Sequence, residues 1–284
     1  MNLKHPRASW LNPDTGDLMD AGALLRQMAE KQVVLLGETH DIAEIHRWQM
    51  HVIAALHTLN PNIMVGFEMF PKRLQPVLDE WVNGDLSTEA FIEKSEWYEV
   101  WGFPAEIYLP IFHFCRQNKV RMLALNCYRA LVTRVGKEGW ESIPEEERDG
   151  LTPSAPPTPE YIASFRRWLG TPENPWQPTD RFLRAQQTWD RAFACNIVKA
   201  IDEAKEAGEG VPLVIGVIGG GHMYYKRGSV YQLKDLGIDD IGVLITNAEE
   251  EIDLEKMRGI SDAIFRIDMP EPRLGRPVKP EKSD

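Results

Sequence analysis

The sequence predicts an α/β fold, with a mainly parallel central sheet and helices on both faces. Residues 33–36, 63–67, 120–125 and 211–217 are short apolar runs rich in β-branched residues, as strands buried on both faces are. Segments with helical spacing of apolar residues lie between them, long enough for the crossovers that parallel strands need. Each run also ends in polar residues: Glu38 and His40, then Glu68, then Asn126 and Tyr128, then His222. In a parallel sheet these ends share one edge, the edge where open α/β sheets bind ligands.

The elements follow in chain order. Residues 1–20, with Trp10 and the turn-forming Asn12-Pro13-Asp14-Thr15-Gly16-Asp17, predict an irregular lead-in containing a hairpin turn. A short helix over 21–31 feeds the first strand. Thr39 stands where an N-cap belongs, ahead of a helix reaching residue 59. Its apolar arc includes Ile45, Trp48, Val52, Ile53 and Leu56, and His46 flanks that arc. Helices over 71–82, 87–95 and 105–118 separate the second strand from the third, the middle one opened by Ser87. The aromatic-rich stretch from Trp97 to Pro104 has no period and predicts a loop lining something apolar.

Prolines crowd residues 136–180, which predict a loop-rich, lid-like excursion with one short helix at 160–169. A long helix over 181–206 has an apolar stripe that takes in Gln186 and Asp190. An unpartnered buried amide costs on the order of 2–7 kcal/mol and a charge more, so both need specific partners. After the fourth strand, Gly219-Gly220-Gly221 lets the backbone approach a neighbour closely or adopt positive φ. A helix over 230–236 and a fifth strand over 241–246 complete the pattern.

The chain of 284 residues, 43% hydrophobic and 26% charged, suits one large domain over 1–268. The proline- and charge-rich 269–284 predicts a disordered tail. A formal net charge of -11 excludes a nucleic-acid partner. Cys115, Cys127 and Cys195 stand far apart and read as reduced thiols. No run approaches ~18 apolar residues, so no transmembrane helix is expected. No secretory signal or lipobox is visible, so a cytoplasmic location is expected.

Two carboxylates and two imidazoles in one crevice suit three chemistries. Glu38, His40, Glu68 and His222 could ligate a divalent transition metal. The same four could act without metal, as catalytic acids and bases in hydrolysis. A His or Tyr could instead ligate haem iron. No Gly-x-Ser-x-Gly, His-Glu-x-x-His or Gly-x-Gly-x-x-Gly signature is present, which removes support for serine esterases, zincins and dinucleotide binders.

The succession Leu36-Gly37-Glu38-Thr39-His40-Asp41, Gly66-Phe67-Glu68-Met69-Phe70, Ala124-Leu125-Asn126, Ala185–Ala194 and Gly219-Gly220-Gly221-His222-Met223 resembles the ChaN family of bacterial haem-binding proteins, relatives of the Tiki/TraB proteins and erythromycin esterases. The resemblance implies an α/β sandwich and a site on Glu38, His40, Glu68 and His222. It implies a haem or similar tetrapyrrole ligand, a link to iron and a homodimer. His40, His222, Tyr224, Gln186 and Asp190 are the expected cofactor contacts, with the aromatics at 97–103 and Tyr224-Tyr225 covering a flat apolar ligand. The other branches imply the alternative, an esterase- or metallopeptidase-like hydrolase. Typical ChaN members carry a signal and a lipid-bearing Cys, and neither is visible here.

Overall fold

Residues Val33–Glu38 and Leu213–Gly219 are buried along their whole length, because helices cover both faces of the sheet they belong to. The computed structural model describes residues 2–169 and 176–276. Its strands are β1 (Asn2–Lys4), β2 (Trp10–Leu11), β3 (Leu18–Met19), β4 (Val33–Glu38), β5 (Ile63–Pro71), β6 (Arg121–Asn126), β7 (Leu213–Gly219), β8 (Ile241–Asn247), β9 (Glu251–Asp253) and β10 (Ala263–Arg266). Eight of them form one sheet in the order β3-β2-β10-β8-β4-β7-β5-β6, and β1 pairs with β9 apart from it. From β10 to β6 every neighbouring pair is parallel. The β2–β3 hairpin adds an antiparallel margin.

The helices are α1 (Ala21–Ala29), α2 (Ala43–Leu59), α3 (Gln75–Asn83), α4 (Thr88–Lys94), α5 (Trp97–Val100), α6 (Leu109–Asn118), α7 (Arg129–Glu138), α8 (Pro159–Leu169), α9 (Asp180–Glu206), α10 (Ser229–Asp235) and α11 (Leu254–Met257). Alternation along the strands divides the core in two. Val34, Leu36, Val65 and Phe67 face α1, α2, α3 and α6. Val33, Leu35, Val214 and Ile218 face α9 and α10, through Phe193, Ile197, Ile201, Val230 and Leu233. Among the described residues, no helix is long and apolar enough to cross a membrane.

Several local expectations are corrected. Thr39 caps no helix: α2 begins at Ala43 after Ile42, without a side-chain cap. Residues 39–42 instead form a turn in which the Ile42 N–H donates to the Thr39 carbonyl at 3.2 Å. The expected loop at 97–104 contains the single helical turn α5, and Trp97 is core, donating to the Phe103 carbonyl at 2.6 Å. The helix expected from residue 105 starts at Leu109, with Pro110 in its first turn where no N–H is needed. None of Gly219, Gly220 and Gly221 has positive φ, so close approach is what those glycines provide.

The sequence reading assigned no element to α7, which packs Leu131, Val132 and Val135 against Ala192 of α9 with Ile143 and Leu151 of the excursion. Further along the excursion, Tyr161 and Phe165 of α8 pack on Leu183. The tail expected to be disordered from Met269 is tied down as far as Arg276. Arg273 pairs with Asp41 and the Leu274 N–H donates to the Asp41 carbonyl at 3.0 Å. The expectation for 277–284 lies outside the described residues.

Candidate functional site

Sheet order decides which polar ends meet. Glu38 pairs with Gly219 across β4 and β7, and Phe67, just before Glu68, pairs with Val217 across β5 and β7. Glu38, Glu68 and the turn carrying His222 therefore lie on three adjacent parallel strands at one edge.

Glu38 is buried and organises the first half of the site. His40 Nδ1 lies 2.6 Å from its Oε1, and the Tyr108 hydroxyl donates to the same oxygen at 3.2 Å. Gln49 reaches Oε2 at 3.4 Å. His46 Nε2 lies 3.1 Å from the His40 carbonyl, which holds the turn against α2. Burial pushes the Glu38 pKa up, but the charges of His46 and His40 and the bonds from His40 and Gln49 outweigh it and hold the carboxyl low. Burial likewise pushes His40 down, yet the bond and charge of Glu38, with the charge of Glu68, raise it to about 9.

The second half repeats the pairing. His222 Nδ1 lies 2.8 Å from Asp190 Oδ1. Asp190 also accepts from Ser229 Oγ at 3.0 Å and from Tyr161 Oη at 2.6 Å. Burial lowers His222, while the charge and bond of Asp190 and the charge of Glu68 raise it overall. Glu68 lies between the halves. Its Oε2 accepts the Gly219 N–H at 2.5 Å, and its Oε1 stands 3.7 Å from His222 Nε2. A Cβ on Gly219 would meet His40 Cε1 at 2.9 Å and Glu68 Oε2 at 3.2 Å, so this position has to be glycine for the ring to sit where it does. Asn126 holds Glu68 from behind, donating to its carbonyl at 2.8 Å.

Two cavities share His40, His222 and Arg276 as walls. The first, about 380 Å³, is completed by Glu68, Met69, Trp101, Tyr128 and Trp189 among others. The second, about 430 Å³, is bounded by Phe103, Gln186, the three glycines and Tyr224. The Trp101 and Phe103 rings lie 4.7 and 5.4 Å from the His40 ring. The structure thus brings Glu38, His40, Glu68 and His222 together, with Gln186 and Tyr224 at the second cavity. Asp190 lines neither cavity; it stands behind His222. The buried glutamine of α9 is Gln187, which donates to the Ala155 carbonyl at 2.8 Å, while Gln186 is only half-buried. Tyr225 donates to the Lys256 carbonyl rather than covering a cavity.

Among the described residues, no group of three or more His, Cys, Asp and Glu side chains is arranged to hold a metal ion. Glu38 is engaged by His40, Tyr108 and Gln49, Glu68 Oε2 by Gly219, and each Nδ1 by its carboxylate. Sequence reasoning missed Tyr108, Gln49, Tyr161, Arg273 and Arg276, none of which stands in a motif.

The family model described as "Haem-binding uptake, Tiki superfamily, ChaN" matches residues 24–233, a stretch that contains all four site residues. The chain belongs to the ChaN family. ChaN of Campylobacter jejuni, solved in a study of cofacial haem binding, has a similar fold, with a TM-score of 0.67 at 21% identity over 90% of this chain and 95% of that one. The type III effector HopBA1 aligns with a TM-score of 0.47 at 11% identity, over 87% of this chain and 92% of that one. An erythromycin esterase mutant, EreC H289N, aligns at 0.46 and 11%, over 84% and 76%. None of the curated proteins matches the sequence.

Proposed function

We propose that this ChaN-family protein binds haem, or a closely similar tetrapyrrole, in the crevice at the carboxyl edge of the sheet. Beside family membership, one observation carries the reading: a carboxylate-held imidazole faces a cleft walled by Trp101 and Trp189. Haem would supply an iron centre that takes His or Tyr ligands and a flat apolar face. Glu38 holds His40 by Nδ1, which leaves Nε2 for the cleft, an arrangement that orients ligating histidines. Asp190 does the same for His222. Tyr128, 44% exposed, supplies a phenol to the lining of the first cavity. Trp101, Trp189 and Phe103 offer apolar surface to the ligand, and the homodimer implied by the resemblance belongs to the same proposal.

Hemin titration of the purified protein tests the reading. A saturable shift of the Soret band, weakened in His40→Ala and His222→Ala, is the expected result. An unshifted band at excess protein contradicts it.

A hydrolase is the second reading, favoured by the Glu38–His40 bond, which is the geometry of an oriented general base. Turnover of an activated ester by the wild type and not by His40→Ala, without hemin binding, would favour it.

A further inference from the structure

Four arginines line the two cavities of this acidic chain: Arg73, Arg129, Arg273 and Arg276. Glu96 takes Arg73 in a two-pronged pair at 2.7 and 2.6 Å. Asp41 takes Arg273 at 2.7 Å. Among the described residues, Arg129 and Arg276 have no anionic partner. Arg276 alone of the four borders both cavities. Its guanidinium lies 4.7 Å from the centre of the Phe103 ring, and its charge reaches His40 strongly enough to oppose protonation there. The nearby carboxylates do not compete for it. Glu38 and Asp190 are held by imidazoles and Glu68 by a backbone N–H. Glu99, exposed on the first cavity's lining, forms no ion pair with Arg276.

We infer that Arg276 is the residue that receives a carboxylate side arm of the ligand, and that the C-terminal segment is therefore part of the binding site. The inference rests on the tetrapyrrole reading and specifies the acid form of that ligand. A guanidinium offers a planar pair of donors matched to a carboxylate, and stacking on an aromatic ring fixes its plane. The segment is placed for this by the same turn that carries His40. Asp41, the next residue, binds the Arg273 side chain and, through its carbonyl, the Leu274 N–H. Imidazole and guanidinium are thus set from one short loop.

The test compares hemin with hemin dimethyl ester, titrated in the same detergent buffer into the wild type, Arg276→Gln, Arg276→Lys and Arg129→Gln. Loss of a charge-assisted bond predicts that Arg276→Gln weakens hemin roughly tenfold, with the Kd for the ester changed by less than about twofold. Arg276→Lys restores part of the hemin affinity. Arg276→Gln weakening both forms alike, or neither, overturns the inference, as does acid-specific loss at Arg129→Gln instead. In each of those cases the wild type still binds hemin and the tetrapyrrole reading stands. Failure of the wild type to bind either form overturns that reading, and the inference with it.

Discussion

His40 shows how single residues set the character of the site. Its ring is fixed at Nδ1 by a buried carboxylate, and its Cε1 occupies space that any side chain at Gly219 would need. Because its pKa is raised from 6.5 to about 9 in the folded protein, the folded state binds more protons across that interval. The stability His40 contributes is complete below about pH 6.5 and is lost as pH rises through about 9. Denaturation followed across that window should show wild-type stability falling more steeply than that of His40→Gln. Parallel curves would mean that Glu38 does not hold the proton on His40. Gly219→Ala should displace the ring, change its NMR shifts and leave the sheet intact, since the new methyl meets side-chain atoms rather than backbone. Glu38, Glu68 and His222 were legible in the sequence because a polar residue ending a wholly apolar strand is conspicuous. Tyr108 and Gln49 were not. Their partners stand 70 and 11 residues away in sequence, and nothing in a helix's spacing announces which carboxylate its tyrosine will meet.

Among the elements, α9 does most to hold the second half of the site in place. It carries Asp190, which accepts from His222, Ser229 and Tyr161 and so ties together the glycine turn, α10 and the excursion. Asp190→Ala strands these buried donors and should cost about 1–3 kcal/mol in a denaturant melt. Tyr161→Phe removes one bond of three and should cost less, about 1 kcal/mol. If both substitutions were silent, α9 would be scaffold without a part in orienting His222. The sequence showed Asp190 to be buried and in need of partners, yet not which partners. The structure places it behind His222 and not at either cavity, a distinction the sequence could not draw, because the stripe of a helix reveals which side faces inward but not what lies there. The aromatic stretch at 97–103 divided for a similar reason: Trp97 entered the core while Trp101 and Phe103 turned toward His40.

At the scale of the whole molecule, the order β8-β4-β7-β5-β6 makes distant residues neighbours. The strands that carry Glu38, Glu68 and Gly219 are adjacent, although the connection from β6 to β7 runs through the whole excursion and α9. The parallel sheet was legible because buried strands and amphipathic helices alternate in sequence. The margin formed by β2, β3 and β10 was legible only as a turn, since strands of two to four residues carry too little pattern. The C-terminal segment reads as a polar, proline-rich tail, and its attachment depends on long-range contacts, those of Arg273 and Leu274 with Asp41 and of Arg276 with Phe103. The central claim is that the crevice between His40 and His222 is where the ligand lies. Crystals grown with hemin and measured at the iron absorption edge test it directly. An anomalous iron peak within the space bounded by His40, Trp101, His222 and Arg276 is predicted. A peak elsewhere on the protein, with that crevice closed, would contradict the account.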